Sequence, residues 1–582
     1  MYSFIRPNQY VVLRLQSDAL KVVLLAPNTN IPLGKYGSFP ANQIIGRPFY
    51  LTFEILDRPD EIKDGHVLRI VPATELHTES LITEGSEEVD GMIEDTDLTE
   101  DGDVPIRSHP ETGDDTPCQK LTLAEIETLK KQATGAGKEI IAKLLESHTA
   151  LGQKTAFSLA KYTLRKRKKF LRRFTVLPMD VSLLTEWILE EKDAPRILEL
   201  RDELVGLIGC WGNVHHCGRT TMEEAVDSKP NGRYLIVDDT GGFVVAAMAE
   251  RMGLLFPDEE DDNVQADPDG QLSSSPREDG PAMDEDEYNP ASQVEPPPNG
   301  KEPTRRRLRL KPMSASENTL TLIHAHPQPN LSMLKYFSFN PDRPTNAHPL
   351  HTHLKSLSWL QLVDPSADSI YANEPPSVPD SVLSSWKPGK RSMYFRKRNR
   401  WQRVRGVVDE TRAGGFDGLI VASLMEPTTI LKHTVPLLAG SASVVVYSPT
   451  IDPLVELVDF YSTARRTAYI ATKREWEEQQ SHQSPVEARA SQAERELLFP
   501  VDPTLLLGPS LQTSRVRPWQ VLPGRTHPLM TGRGGAEGYV FHATRVLPSS
   551  DRITARGNST RKRRKINETD TGPGTGTSTP VG

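Results

Sequence analysis

The stretch from residue 234 to residue 252 decides the fold. It reads Tyr234-Leu235-Ile236-Val237-Asp238-Asp239-Thr240-Gly241-Gly242 and continues into the apolar run Phe243–Met252. A short apolar run that ends in acids predicts a buried strand, and the paired glycines predict a turn. The run after them has the length and composition of a buried helix. This strand, turn and helix form one unit of an α/β sheet.

The same alternation continues along the chain. Strands are predicted at residues 320–324, 416–422 and 442–447, and helices at 181–189, 195–208, 427–438 and 453–462. Residues 538–542 are predicted to form an antiparallel edge strand. Strands that alternate with helices are typical of a doubly wound, mostly parallel sheet. We therefore predict a Rossmann-like α/β domain over residues 176–546.

The first 75 residues have a different pattern. Short β-branched or aromatic runs at residues 10–15, 21–25 and 49–56 are separated by turn residues, which indicates an all-β unit. We predict a small β-barrel or β-sandwich over residues 1–75. A helical linker follows at residues 116–175.

The charge of the chain is unevenly distributed. Two stretches, residues 76–115 and 257–300, each contain 14 Asp or Glu and one Arg, whereas the whole chain carries −9. Both are predicted to be disordered inserts, the second extending to residue 303, because they are acidic and poor in aromatic residues. The remaining chain is basic, so nucleic acid is a candidate partner. A basic tail, residues 547–582, is also predicted to be disordered.

Composition excludes two classes of protein. Three cysteines in 582 residues argue against a disulfide scaffold. No apolar run reaches 18 residues, so no membrane span is predicted.

The linker contains the clearest positive signal, a helix predicted to begin near Phe157. Phe157, Leu164 and Leu171 keep the spacing of a buried stripe. Eight cations lie between positions 161 and 173: Lys161, Arg165, Lys166, Arg167, Lys168, Lys169, Arg172 and Arg173. Such a density predicts contact with the phosphates of a nucleic acid. A solvated basic face, or docking of an acidic tract, is the alternative.

The glycine turn and the residues after the neighbouring strands lie where an S-adenosylmethionine methyltransferase binds its cofactor. Such an enzyme has several alternating glycines in this turn, a carboxylate after the next strand and a polar catalytic residue after the fourth strand. Here the glycines are adjacent, the next strand ends at His324, and the fourth strand is followed by Ser423-Leu424-Met425. The pattern favours a methyltransferase fold with a degenerate cofactor site, and it predicts no bound cofactor.

Other motifs are weaker. Gly135-Ala136-Gly137-Lys138 lacks the first glycine and the Ser/Thr of a P-loop. Cys210, His215, His216 and Cys217 do not have the spacing of a common zinc site. His348, His351 and His353 are expected to be exposed polar residues. No metal site and no catalytic residue is predicted.

Three segments together carry a resemblance. They are Gly34-Lys35-Tyr36-Gly37-Ser38-Phe39, Lys154-Thr155-Ala156-Phe157-Ser158 with Lys161-Tyr162, and Gln520-Val521-Leu522-Pro523-Gly524-Arg525-Thr526-His527-Pro528. With them the chain resembles the non-catalytic subunit of the eukaryotic tRNA (adenine-58-N1)-methyltransferase. The resemblance covers the chain outside the acidic tracts and the basic tail.

The resemblance implies a β-barrel-like domain joined to a Rossmann-like domain, and a homologous catalytic subunit that binds S-adenosylmethionine and methylates adenine 58 in the T-loop of tRNA. It also implies a heterotetramer of two such pairs, tRNA binding that includes initiator tRNA, and residence in the nucleus. The basic run 561–565 could serve as an import signal. The residues expected to bind RNA are Lys154, Lys161, Arg165, Lys166, Lys168, Lys169, Arg172, Arg173, Arg525 and His527.

Two other functions stay open at this point. One is an active S-adenosylmethionine-dependent RNA methyltransferase with a divergent loop. The other is a nuclear scaffold or an interaction protein related to translation initiation.

Overall fold

The computed structural model describes residues 3–56, 67–76, 137–147, 156–191, 193–217, 232–257, 318–342, 348–480, 496–517, 519–522, 525–528 and 536–547. The two acidic inserts and the basic tail lie almost entirely outside these residues, as does the predicted RNA-binding residue Lys154.

The described chain forms sixteen strands. They are β1 (Tyr10–Leu15), β2 (Leu20–Leu24), β3 (Asn30–Pro32), β4 (Ser38–Pro40), β5 (Thr52–Leu56), β6 (Val67–Ile70), β7 (Arg173–Pro178), β8 (Tyr234–Asp238), β9 (Leu320–His324), β10 (Leu354–Ser358), β11 (Phe416–Ala422), β12 (Leu438–Ser448), β13 (Leu506–Gln512), β14 (Trp519–Leu522), β15 (Arg525–Pro528) and β16 (Tyr539–Arg545).

The α-helices are α1 (Lys138–Glu146), α2 (Ala156–Phe170), α3 (Val181–Glu191), α4 (Asp202–Trp211), α5 (Phe243–Met252), α6 (Leu350–His353), α7 (Trp359–Val363), α8 (Ser369–Ala372), α9 (Asp380–Ser384), α10 (Pro388–Ala413), α11 (Pro427–Thr434), α12 (Asp452–Phe460) and α13 (Thr463–Gln480). Short 3₁₀ helices lie at Gly34–Tyr36, Ala41–Gln43, Ala194–Ile197, Leu334–Phe337, Pro365–Ala367 and Val435–Leu437.

A seven-stranded sheet organises the C-terminal part, in the order β10-β9-β8-β11-β12-β16-β13. Strands β8 to β12 are parallel to their neighbours within that group, and β16 runs antiparallel to both β12 and β13. The predicted mostly parallel α/β sheet is confirmed. The final strand is antiparallel as expected, but it is not the edge, because β13 pairs with its outer side.

Both faces of this sheet are buried. On β8, Ile236 belongs to the core formed with α3, α4 and α5, whereas Leu235 and Val237 belong to the core on the opposite face. That second core takes side chains from α10, α11 and α12. A strand covered on both faces needs an uninterrupted apolar run, which is the pattern of residues 234–237.

The N-terminal strands form an antiparallel sheet in the order β2-β1-β7-β5-β6, and β3 and β4 form a separate hairpin. The all-β character is confirmed. Among the described strands, however, β2 and β6 are edges of an open sheet, so the barrel expected from the sequence is not closed by strand pairing.

The central strand of this sheet is β7, which follows α2 in the chain and pairs with β1 and β5. The N-terminal unit therefore does not end at residue 75, and the predicted linker does not extend to residue 175. Phe174 and Val176 fill the same core as Val11 and Phe53, so the sheet cannot form from residues 1–75 alone. The predicted helix also ends earlier than expected, at Phe170, because strand geometry begins at Arg173.

Candidate nucleic-acid interface and the glycine turn

The C-terminal end of α2 is fixed to the protein by its apolar residues. Phe170 and the adjacent Leu171 are buried in one cluster with Ile140, Ile141 and Leu144 of α1. Tyr36 adds a hydrogen bond from its hydroxyl to the carbonyl oxygen of Lys168, at 3.2 Å. Leu164 is half-buried. The predicted anchoring by apolar side chains thus holds for this end of the helix.

The cations of α2 differ in their surroundings. Arg165 and Lys169 are exposed, whereas Lys161, Lys166, Arg167 and Lys168 are half-buried. Lys168 forms an ion pair with Asp18, in the turn between β1 and β2. The ammonium group of Lys166 lies 5.0 Å from the ring centroid of Tyr162. Arg165 and Lys169 are therefore the α2 cations most accessible to a ligand.

Arg173 does not belong to this cationic face, which corrects the interpretation from the sequence. It lies on β7 with 1% of its side chain exposed, and its guanidinium contacts Glu54 at 2.9 Å and Glu75 at 2.6 Å. Strand alternation turns its side chain into the protein, where two carboxylates neutralise it. Arg172, the residue before it, is half-buried.

Glu75 is the centre of this buried ion network. It contacts Arg69 and Lys138 as well as Arg173. The hydrogen bond from Lys138 lowers the pKa of Glu75 to about 2, and the bond from Arg69 acts in the same direction. The lysine of the P-loop-like sequence is thus used in an ion pair that ties α1 to the N-terminal sheet.

The structure brings the β14–β15 hairpin close to α2. Cα atoms of β14 lie within 8 Å of Cα atoms of α2. Within the hairpin Leu522 pairs with Arg525, and Gln520 pairs with His527. The ring Nδ1 of half-buried His527 is 3.1 Å from the carbonyl oxygen of Pro528. Two segments that are about 350 residues apart in the chain therefore lie next to each other.

The glycine turn after β8 is stabilised from within. Asp238 accepts hydrogen bonds from the backbone N–H of Thr240, at 2.6 Å, and of Val245, at 3.4 Å. The hydroxyl of Thr240 in turn accepts the N–H of Val244, at 3.1 Å. Burial raises the pKa of Asp238 to about 6. This carboxylate is therefore committed to holding the turn and the start of α5.

The outer side of the turn is covered by the segment after β9. Gly241 and Gly242 have positive φ angles of 73° and 86°. A Cβ atom at Gly242 would lie 3.1 Å from the Cα of Leu331, and one at Gly241 would lie 3.1 Å from the hydroxyl of Ser332. The N–H of Met333 also donates to the carbonyl of Gly241, at 2.9 Å. The chain itself occupies the space beside these glycines.

The neighbouring polar groups are also engaged. Asp239 accepts hydrogen bonds from the hydroxyl of Ser423 and from the N–H of Leu424. The ring Nδ1 of His324, at the end of β9, lies 2.6 Å from the carbonyl oxygen of His326. The carboxylates of Asp238 and Asp239 and the ring Nδ1 of His324 are therefore all engaged by other groups of the protein.

The described residues offer neither a metal site nor a membrane-spanning helix. No group of three or more His, Cys, Asp or Glu in the described stretches is arranged to hold a metal ion. None of the helices that are described could cross a membrane. His348 and His353 are buried, contrary to the expectation of exposure, since His348 hydrogen-bonds backbone groups of Phe337 and Leu350.

Sequence reasoning missed the longest helix of the described chain. Helix α10 spans 26 residues, and positions 387–405 contain nine Lys or Arg and no Asp or Glu. Its buried apolar residues, including Val408, lie in its C-terminal part, whereas Met393 and Phe395 near its start are exposed, so the hydrophobic pattern is short. The run of cations was the signal that could have identified it.

The family comparison decides the classification. A family model described as the Gcd10p family matches residues 4–387. The chain belongs to this family. The "tRNA (adenine(58)-N(1))-methyltransferase non-catalytic subunit trm6" of Aspergillus fumigatus is 57% identical over 97% of this chain and 96% of its own length.

More distant relatives carry the same description. The protein from Debaryomyces hansenii is 28% identical, covering 97% of this chain and 91% of its own length. A solved structure, the "tRNA (m1A58) methyltransferase TrmI from Aquifex aeolicus", aligns with a TM-score of 0.34 and 8% identity over 94% of this chain and all of that one. The identities of 57% and 28% to non-catalytic subunits, each over 97% of this chain, confirm the resemblance.

Proposed function

We propose that this chain is the non-catalytic, tRNA-binding subunit of a tRNA (adenine-58-N1)-methyltransferase, and that it supports methylation of adenine 58 in the T-loop by a homologous catalytic subunit. The observation that carries the proposal is the 57% identity to a subunit of that name over nearly the whole of both chains.

The glycine turn supports a non-catalytic role. In an active enzyme of this fold the turn and the carboxylates around it are available to the cofactor. Here Leu331 and Ser332 cover the glycines, and Asp239 is bound to Ser423. S-adenosylmethionine is accordingly assigned to the partner subunit, and this chain is expected to bind none.

The surface formed by α2 and the β14–β15 hairpin supports a role in tRNA binding. Arg165 and Lys169 are exposed on it, and the hairpin carries Arg525 and His527. Phosphate contacts fix the position of a nucleic acid without reading its sequence. This surface would therefore hold tRNA in place while the catalytic subunit performs the reaction.

Three finer statements belong to the same proposal. The assembly is a heterotetramer of two non-catalytic and two catalytic subunits, its substrates include initiator tRNA, and it resides in the nucleus. The basic run 561–565, which lies outside the described residues, is the candidate import signal.

The test uses the chain co-purified with its catalytic subunit. The complex should methylate a tRNA transcript and leave one in which guanine replaces adenine 58 unmodified, while neither subunit alone should be active. Methylation by this chain alone would contradict the proposal.

The surface is tested with Arg165→Gln/Lys169→Gln. The matched control is Lys432→Gln/Lys473→Gln, which removes the same charge from exposed positions on α11 and α13. Each lost phosphate contact should reduce the slope of log affinity against log salt by about 0.7 to 0.9. Equal slopes for the two variants would remove α2 from the binding surface.

A further inference from the structure

The N-terminal part of α10 is a strongly charged segment that the proposed α2 surface does not include. We call residues 387–405 the α10 arm. Its nine cations are Lys387, Lys390, Arg391, Arg396, Lys397, Arg398, Arg400, Arg403 and Arg405, and it contains no acid. By comparison, the run in and after α2 has eight cations, of which Arg173 is buried.

The arm extends from a helix that is anchored at its other end. Val408 is fully buried in the core beneath the seven-stranded sheet, with Val404 and Val407 packed against it. Arg412 donates to the carbonyl of Leu362 at 2.6 Å. Toward the N-terminus the apolar side chains become exposed: Met393 is 71% exposed. The arm therefore lies at the surface although it continues a buried helix.

Polar contacts keep the arm in place along one side. Trp401 donates its indole N–H to the carbonyl of Tyr371 at 3.2 Å. The hydroxyl of Tyr394 donates to the carbonyl of Pro376 at 3.1 Å, and it accepts from Arg398 at 2.9 Å. The arm is thus an ordered element with defined side-chain directions.

Three cations on the arm have no partner within the described chain. Lys397, Arg400 and Arg403 are exposed and take part in no hydrogen bond or ion pair there. Their spacing of three residues places them within one third of the helix circumference, on one side. Arg405, in contrast, contacts Glu374 and Asp409, each at 3.6 Å. The outer row of charge is therefore available to a ligand.

Such a row is unfavourable without a ligand. Like charges three or four residues apart on a helix each destabilise it by about 0.2–0.5 kcal/mol. Arginine also presents planar donors that match phosphate oxygens. Aromatic residues interleave with the cations, and Phe395 is 41% exposed. Charge, donor geometry and an exposed ring together fit the backbone and bases of RNA.

We propose that the α10 arm is a second RNA-binding surface, which contacts the phosphate backbone of the tRNA through Lys397, Arg400 and Arg403. The proposal rests on the proposed function, since that function supplies the RNA. A membrane is disfavoured as the ligand because the arm has no continuous apolar face. An acidic protein is the other outcome that the experiment distinguishes.

The experiment measures tRNA binding by the complete complex over a range of salt concentrations. The variant is Lys397→Gln/Arg400→Gln/Arg403→Gln, in which glutamine retains helix propensity. The control, Lys335→Gln/Lys432→Gln/Lys473→Gln, removes three exposed lysines on other elements. The arm variant should reduce affinity at least about tenfold and the salt slope by about 2 to 3 units. The control should match the wild type.

The outcomes separate the two proposals. If the wild-type complex neither binds nor methylates tRNA, the proposed function fails. If the wild type binds and the arm variant has the same affinity and slope, the arm proposal alone fails. If the arm variant no longer assembles with the catalytic subunit, although its thermal unfolding is unchanged, the arm contacts protein and the RNA assignment is overturned.

Discussion

Replacement of Arg173 by Met should destabilise the N-terminal sheet and leave the chemistry of RNA binding untouched. The guanidinium is 1% exposed and contacts two carboxylates, of which Glu54 is 2% exposed. Removing one partner of a buried ion pair costs about 3–5 kcal/mol because the remaining charge stays buried. Arg69 still contacts Glu54 and Glu75, so we expect a loss near the lower limit, about 3 kcal/mol.

Urea unfolding of the full chain measures this loss, with Arg165→Met as the control from the same basic run. Arg165 is exposed, so its replacement should change the free energy of unfolding by less than about 0.5 kcal/mol. Its effect should appear in tRNA affinity instead. The double variant Arg173→Met/Glu54→Leu should recover part of the lost stability, because it no longer leaves Glu54 buried with one partner fewer.

The pH dependence of the free energy of unfolding in this region follows from the ionisation of Glu75. Its pKa is lowered to about 2 in the folded chain, so the stabilisation that it provides is complete above its unfolded value, about 4.5, and is lost as the pH falls through about 2. The penalty for Arg173→Met should accordingly be constant between pH 6 and 8. A loss below 1 kcal/mol, or a loss of tRNA affinity in a fully stable variant, would refute the structural role of Arg173.

Three further predictions concern other parts of the chain. Burial raises the pKa of Glu250 from 4.5 to about 7, so the stability of the wild type falls as the pH rises through this range. Glu250→Gln should be more stable than the wild type by about 3 kcal/mol at pH 8 and by less than about 1 kcal/mol at pH 5, as thermal unfolding will show. Calorimetry of the isolated chain should detect no binding of S-adenosylmethionine, and micromolar affinity would contradict the covered turn. A fluorescent fusion lacking residues 559–582 should lose nuclear accumulation, and an unchanged distribution would reject the basic run 561–565 as the sole import signal.

Much of the α/β domain could be predicted because its strands are buried on both faces. Residues 234–237 and 444–446 are apolar runs, and residues 320–323 are apolar except for Thr321. Every apolar residue of these three stretches belongs to one of the two cores. The helix after the glycine turn was equally clear. In such a sheet the apolar composition of each strand matches its burial on both faces, so the strands can be predicted from a single sequence.

The N-terminal unit was harder because one of its strands is remote. Strand β7 reads Arg-Phe-Thr-Val-Leu-Pro, directly after a basic helix. The sequence shows eight cations between positions 161 and 173 and cannot show that the last one pairs with Glu54, more than 100 residues earlier. Edge strand β13 was missed for a related reason, since Gly508 and Pro509 interrupt its pattern. Long-range pairing decided both cases.

The sequence predicted which segments are basic more reliably than which of their cations are exposed. The cations of α2 predicted a basic surface, and the structure places the β14–β15 hairpin beside it. Treating every cation of the run as equally exposed wrongly added Arg173, which is buried. In the α10 arm the error was a different one. Its run of cations was evident in the sequence, but its helix was not predicted. A cation is a candidate for RNA binding only if the fold leaves it exposed and unpaired. Arg165, Lys169, Lys397, Arg400 and Arg403 are exposed, and no contact in the described chain pairs them with an acid.

The glycine turn shows how side chains of the protein itself hold the connection between β8 and α5. Asp238 holds the N–H groups of Thr240 and Val245, and Thr240 holds Val244, so the first turn of α5 is capped by the protein itself. Leu331 and Ser332 fill the space beside Gly241 and Gly242, and Met333 bonds the turn directly. The carboxylate of Asp238 and the N–H groups of Val244 and Val245 are therefore satisfied within the protein. An acidic residue after the first strand of such a sheet is therefore evidence of a stable turn, and evidence of catalysis only where the glycines beside it are open.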